Sequence, residues 1–98
     1  MYYLLTYQVV ADYLDRREQY RDEHLKLAND YVEQGFLLLA GAKGDPIDGA
    51  YLVFKADSAE VVEAFAAADP YVKNKLVTRW TVEPWHVVVG SCLENPVL

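Results

Sequence analysis

His24 and Asp69 are the residues of this chain whose type and setting best suit moving a proton. Each interrupts a stripe that helical spacing would otherwise make apolar. Tyr13, Arg17, Tyr20, His24, Leu27, Ala28 and Tyr31 follow one another at i, i+3, i+4 and i+7, and Val62, Phe65, Ala66 and Asp69 do the same further on. A histidine with an unperturbed pKa near ~6.5 exchanges its proton at neutral pH. A carboxylate bonded to one ring nitrogen fixes the tautomer and leaves the other nitrogen to face a substrate as general base or acid. If the two helices are neighbours, His24 and Asp69 could meet or flank one pocket. Arg21, Arg79, Tyr7 and Tyr71 are the candidates for binding a substrate there.

Plainer roles compete for the same residues. His24 could be a core histidine satisfied by a backbone carbonyl. Asp69 precedes Pro70, and an acid before a first-turn proline is a favoured helix start. Arg21 and Arg79 could pair with Asp22, Glu23 or Glu83 on the surface, and the tyrosines could be core. No serine or cysteine stands at a nucleophile position, since Ser58 reads as a helix cap and Cys92 falls near the end of the chain. Proton transfer is therefore favoured over covalent catalysis. His24 and His86 are far apart and form no helical pair, so neither a metal site nor a cofactor is expected.

The elements that must hold these residues alternate in character. Residues 1–10 are aromatic and β-branched and predict a strand. Asp12 stands at an N-cap position, and residues 13–34 predict one helix, stopped by Gly35. Phe36 to Ala40 predicts a short strand ended by the turn cluster Gly41–Pro46, and residues 49–56 the next strand. Ser58 starts a second helix that ends at Asp69-Pro70, because proline disfavours the α conformation of the residue before it. A short turn and a last strand over 77–88, bent at Pro84, complete a β-α-β-β-α-β order. This is the ferredoxin-like arrangement, α+β, with a four-stranded antiparallel sheet and two helices on one face. Residues 1–88 make the domain and 89–98 an added tail or arm.

Composition bounds the remaining classes. The chain has 98 residues, a net charge of −6 and 53% hydrophobic content. An acidic chain without a basic cluster is a poor nucleic-acid binder. No apolar run approaches the ~18 residues of a membrane span, and no basic leader precedes the first strand. A cytoplasmic protein is expected, without a disulfide because Cys92 is its single cysteine. The strands nevertheless carry apolar residues on both faces, whereas helices cover only one. The uncovered face predicts a homodimer packed sheet to sheet, with further assembly through Val87-Val88-Val89 and the tail as an extension.

These residues also resemble a known family. The opening Met1-Tyr2-Tyr3-Leu4-Leu5, Arg21-x-x-His24-Leu25, Gly35 with Ala40-Gly41, Asp69-Pro70-Tyr71 and Pro84-Trp85 occur in the order and spacing of the YCII-related (YciI-like) family, over about residues 1–88. The resemblance implies a dimeric α/β barrel with a His–Asp pair, here His24 and Asp69, as the proposed active site. Some relatives are dehydrochlorinases, so elimination (dehydrochlorination) or isomerisation of a small organic substrate, aromatic-derived ones included, is the implied activity. A non-catalytic ligand-binding or interaction module is the alternative. The chain departs from the family in having Gly41-Ala42 where many members have Gly-Pro, which implies a different loop beside the pocket.

Overall fold

The computed structural model describes residues 1–91. Four strands, β1 (Tyr2–Val9), β2 (Leu37–Lys43), β3 (Gly49–Lys55) and β4 (Val77–Trp85), form one antiparallel sheet in the order β2-β3-β1-β4. Between them run α1 (Tyr13–Arg16), a 3₁₀ turn (Arg17–Tyr20), α2 (Arg21–Glu33), α3 (Ala59–Ala68) and α4 (Pro70–Lys73). The architecture is the expected ferredoxin-like α+β fold. Among the described residues, no helix is long and apolar enough to cross a membrane.

Strict alternation makes the sheet's inner face. Tyr3, Leu5 and Tyr7 of β1 and Ala50, Leu52 and Phe54 of β3 are buried against Val62, Phe65 and Ala66 of α3. Each large apolar side chain so buried contributes about 1.5–3 kcal/mol. Tyr31 of α2 packs edge-on against Phe65 (centroids 5.0 Å) and Phe54 (6.3 Å), which pins the C-terminal part of α2 to the sheet. Gly35, at φ +84°, takes the left-handed conformation that ends the helix.

Several boundaries differ from expectation. The single helix over 13–34 is broken by the 3₁₀ turn, although its buried stripe continues across the break. Asp12 makes no capping bond; its carboxylate lies 3.9 Å from Arg16 instead. Ser58 has the extended backbone of a cap, but its side chain bonds nothing at the helix start. Gly41, Ala42 and Lys43 are not a turn: they extend β2, paired with Tyr51, Ala50 and Gly49. The last strand ends at Trp85 rather than Val88. Pro84 lies on the edge strand β4, where a missing N–H is tolerated. Cys92 and most of the predicted tail lie outside the described residues.

The outer sheet face is only partly apolar. Leu39, Tyr51 and Trp85 are exposed there at 65%, 46% and 46%. The β4 positions facing the same way include Arg79, Thr81 and Glu83, paired with Gln8, Thr6 and Leu4.

Gly49 shows how tightly β3 approaches β1. A Cβ at this position would collide with the backbone carbonyl of Tyr7 and crowd the Lys43 side chain. Gly49→Ala should lower stability by about 1–3 kcal/mol, the usual cost of overpacking, as read from the denaturant midpoint. An unchanged midpoint would show that the strands can separate freely at this point.

Candidate active site

The site is built around a junction between helices. Asp69 ends α3 and starts α4, with the extended backbone (φ −66°, ψ 122°) that the following proline requires. Its side chain is fully buried. A buried carboxylate is tolerated only when donors surround it, and three do so here. The Tyr7 hydroxyl of β1 donates to Oδ2 at 2.8 Å, the Tyr71 backbone N–H donates to Oδ1 at 3.0 Å, and His24 Nδ1 of α2 lies 2.8 Å from Oδ1. Both sequence-level roles of Asp69 hold together: it caps α4 and bonds His24.

The acceptor fixes the histidine's tautomer. A carboxylate already receiving two donors accepts from Nδ1–H, so Nε2 is the ring nitrogen left for another partner. The ring stacks on Tyr71, with centroids 3.9 Å apart and planes 10° from parallel. Tyr71 in turn meets Tyr13 edge-on at 5.7 Å. The His24 side chain is 16% exposed and lines a cavity of about 200 Å³ between α2 and the sheet. The gap has a cause in the sequence. Large side chains would fill the helix–sheet interface, but here the small residues Ala28 of α2 and Ala40, Gly41, Ala42 and Ala50 of the strands make up much of the cavity's lining.

Burial first, and then the neighbouring Asp69 carboxylate, push the Tyr7 phenol far above the ordinary tyrosine range. Tyr7 therefore remains a proton donor to Asp69 under all ordinary conditions. Burial raises Tyr71 to about 12, while the charges of Arg21 and Arg17 pull the other way.

Of the six residues singled out from sequence, five gather here. His24 and Asp69 are joined directly. Tyr7 lines the wall with its hydroxyl committed to Asp69, so it orients the carboxylate rather than offering that hydroxyl to a ligand. Tyr71 covers the histidine, and Arg21 lines the cavity. Arg79 is the exception. Its register opposite Gln8 puts it on the outer sheet face, exposed and away from the cavity. The different loop expected at Gly41-Ala42 is strand instead, and both residues line the cavity. Surface pairing of Arg21 with Asp22 or Glu23 is not found within 4.0 Å.

Arg17 and Tyr13 also line the cavity and were given no chemical role from sequence. Their place on the His24 stripe, four and seven residues from Arg21 and His24 respectively for Arg17, was the available signal. The Arg17 guanidinium lies 5.5 Å from the Tyr13 ring centroid. Among the described residues, no three His, Cys, Asp or Glu side chains gather to hold a metal ion.

Comparison with known proteins places this geometry. Protein YciI of Escherichia coli O6:H1 is 31% identical over 97 residues, covering 90% of this chain and 99% of its own length. Protein YciI of Shigella flexneri matches equally. The 5-chloro-2-hydroxyhydroquinone dehydrochlorinase TftG of Burkholderia phenoliruptrix AC1100, solved in complex with 2,5-dihydroxybenzoquinone, superposes with a TM-score of 0.74 at 22% identity. The alignment covers 89% of this chain and 95% of that one. A protein from Agrobacterium tumefaciens superposes over the full length of both chains with a TM-score of 0.59 at 14% identity. The YCII-related domain matches residues 1–86, and with the identity to YciI this shows that the chain belongs to the YCII-related family.

Proposed function

We propose that this protein is a small cytoplasmic enzyme that transfers protons on a small organic substrate, in an elimination or an isomerisation. The observation that carries the proposal is the 2.8 Å bond between His24 Nδ1 and the buried Asp69, made at the wall of a cavity that His24 lines. In this scheme Nε2 takes a proton from the substrate. Asp69 holds the ring's orientation and stabilises the imidazolium. In an isomerisation the same nitrogen returns the proton to another atom; in an elimination a leaving anion departs. TftG, a dehydrochlorinase with the same fold, supports the elimination form.

Turnover of a panel of lactones and chlorinated phenols tests the scheme. His24→Ala should lower the rate by about 10²–10⁴-fold, the usual contribution of a positioned acid or base. Asp69→Asn should lower it as well, because the amide cannot stabilise an imidazolium. Equal turnover in wild type and both variants would leave a ligand-binding module as the better description.

Tyr7 is the positioning residue of this scheme. Tyr7→Phe removes a donor from a buried carboxylate and should cost about 1.5–3 kcal/mol of stability. It should also alter the alkaline response. The unfolded phenol ionises near 10.0, whereas the folded one is held far higher. Stability from this group is therefore complete below pH 10 and declines as pH rises beyond it. Denaturation followed between pH 9 and 11 should show a shallower decline in Tyr7→Phe than in wild type. Identical slopes would count against a Tyr7 phenol buried beside Asp69.

We also propose that the outer sheet face packs against a second copy. Leu39, Tyr51 and Trp85, exposed on one sheet face, support this. Light scattering at micromolar concentration should give twice the 11.2 kDa of one chain. A larger mass would point to additional contacts through the Val87-Val88-Val89 segment, and a monomer would refute sheet-to-sheet packing.

A further inference from the structure

The cavity beside His24 has the opposite sign to the protein around it. The chain carries 15 acids against 9 Lys and Arg, yet no acidic side chain lines this cavity, while Arg17 and Arg21 both do. The one carboxylate close by, Asp69, lies behind His24 and is engaged by three donors. Neither arginine has a carboxylate within 4.0 Å among the described residues, although Glu18, Asp22 and Glu23 are their sequence neighbours. Arg16, immediately before them, is by contrast committed to Asp12 and to the Asn74 carbonyl.

Arg17 adds a second observation. Its Nε is buried and has no hydrogen-bond partner among the described residues. Buried donors are nearly always satisfied, and leaving one unmade is costly. Only Nε is in this condition, and because Arg17 lines the cavity a ligand there can supply an acceptor to its guanidinium. Arg17, in the 3₁₀ turn, and Arg21, at the start of α2, are four residues apart and both line the cavity. Planar forks match planar, delocalised oxyanions, which is the chemistry in which arginine differs from lysine. The remaining walls are mostly apolar, with the rings of Tyr7, Tyr13 and Tyr71, Leu25 and Leu52 beside small alanines, around a space of single-ring size.

From this we infer that Arg17 and Arg21 form an anion clamp, and that the ligand of the cavity is a small planar organic anion carrying a carboxylate or a ring oxyanion. The clamp deepens the proton-transfer scheme above and rests on it in one respect, the placing of the substrate's reacting atom near His24 Nε2. Where a carbonyl or carboxylate adjoins the reacting carbon, a C–H bond breaks toward Nε2 and its electron pair moves into that C=O, which puts the new charge on the oxygen facing the guanidiniums; a ring oxyanion, already fully charged, is only held in position. Donors fixed where charge develops are the most effective stabilisers of such a step.

Binding measured by calorimetry or by NMR titration tests the clamp without requiring turnover. The probes are benzoate, 4-nitrophenolate and the neutral benzamide, each offered to the full chain. At least one of the two anions should bind about tenfold or more tighter than benzamide, and which one does so identifies carboxylate or ring oxyanion as the group recognised. Arg17→Gln and Arg21→Gln should each weaken that anion by about 10–100-fold, the range expected for losing a charge-assisted hydrogen bond. Arg17→Lys, which keeps the charge and loses the fork, should fall between. His24→Gln should keep the preference for the anion, so a failure of proton transfer and a failure of the clamp read out separately. Benzamide binding as tightly as both anions in wild type would overturn the clamp, whether or not the variants fold. So would folded arginine variants that bind the anion as wild type does.

Discussion

The buried carboxylate of Asp69 is the interaction on which the site and its surroundings depend. An ionised group taken from water costs several kcal/mol unless charge and hydrogen bonds replace the lost solvent. The replacements come from β1, through the Tyr7 hydroxyl, from α2, through His24, and from α4, through its own first-turn N–H. The first two are distant in sequence, Tyr7 by 62 residues and His24 by 45. Satisfying one carboxylate therefore orders the helix layer relative to the sheet at this end of the domain. Removing a single donor leaves an under-solvated charge, so the geometry around His24 is secured by stability alone.

The cavity follows from how α2 is held. At its far end Tyr31 interlocks with Phe54 and Phe65. At its near end His24 is tied to Asp69. Between these anchors Ala28 shares the cavity's lining with small strand residues, and the helix cannot settle onto them because both ends are fixed. Fixed ends with small side chains between them make an opening that persists without a ligand. Preorganisation of this kind is what a proton-transfer site requires, since the reacting groups need not be collected at the moment of reaction.

Much of this was legible in the sequence, for reasons particular to each residue. The stripes through His24 and Asp69 follow from helical periodicity, and periodicity survives the 3₁₀ interruption because the buried stripe spans it. The pairing of the two residues required only that the helices be neighbours. The end of β2 was not legible: Gly41-Ala42-Lys43 has turn composition, and pairing with Tyr51, Ala50 and Gly49 overrides it. Capping by Asp12 and Ser58 was not legible from residue type: Asp12 lacks the extended backbone of a cap, and Ser58 has it but makes no side-chain bond. Arg79 could have been placed on the outer face from alternation alone, since Trp80 and Val82 take the inner positions opposite Tyr7 and Leu5. Arg17 stood on the stripe in plain view; its unpaired condition is a tertiary fact that spacing does not carry.

Charge acts on this molecule at two ranges with opposite signs. At long range a net charge of −6 repels an anionic ligand. Within a Debye length, about 8 Å at physiological salt, the field of Arg17 and Arg21 takes over. The repulsion lies mostly in solvent and is strongly screened, whereas the attraction acts in a partly buried recess and is screened much less. Added salt therefore removes more of the barrier to approach than of the attraction on arrival. For an anion held by contact with two guanidiniums, added salt raises the association rate while weakening the held state much less. A neutral ligand of the same shape would feel neither effect.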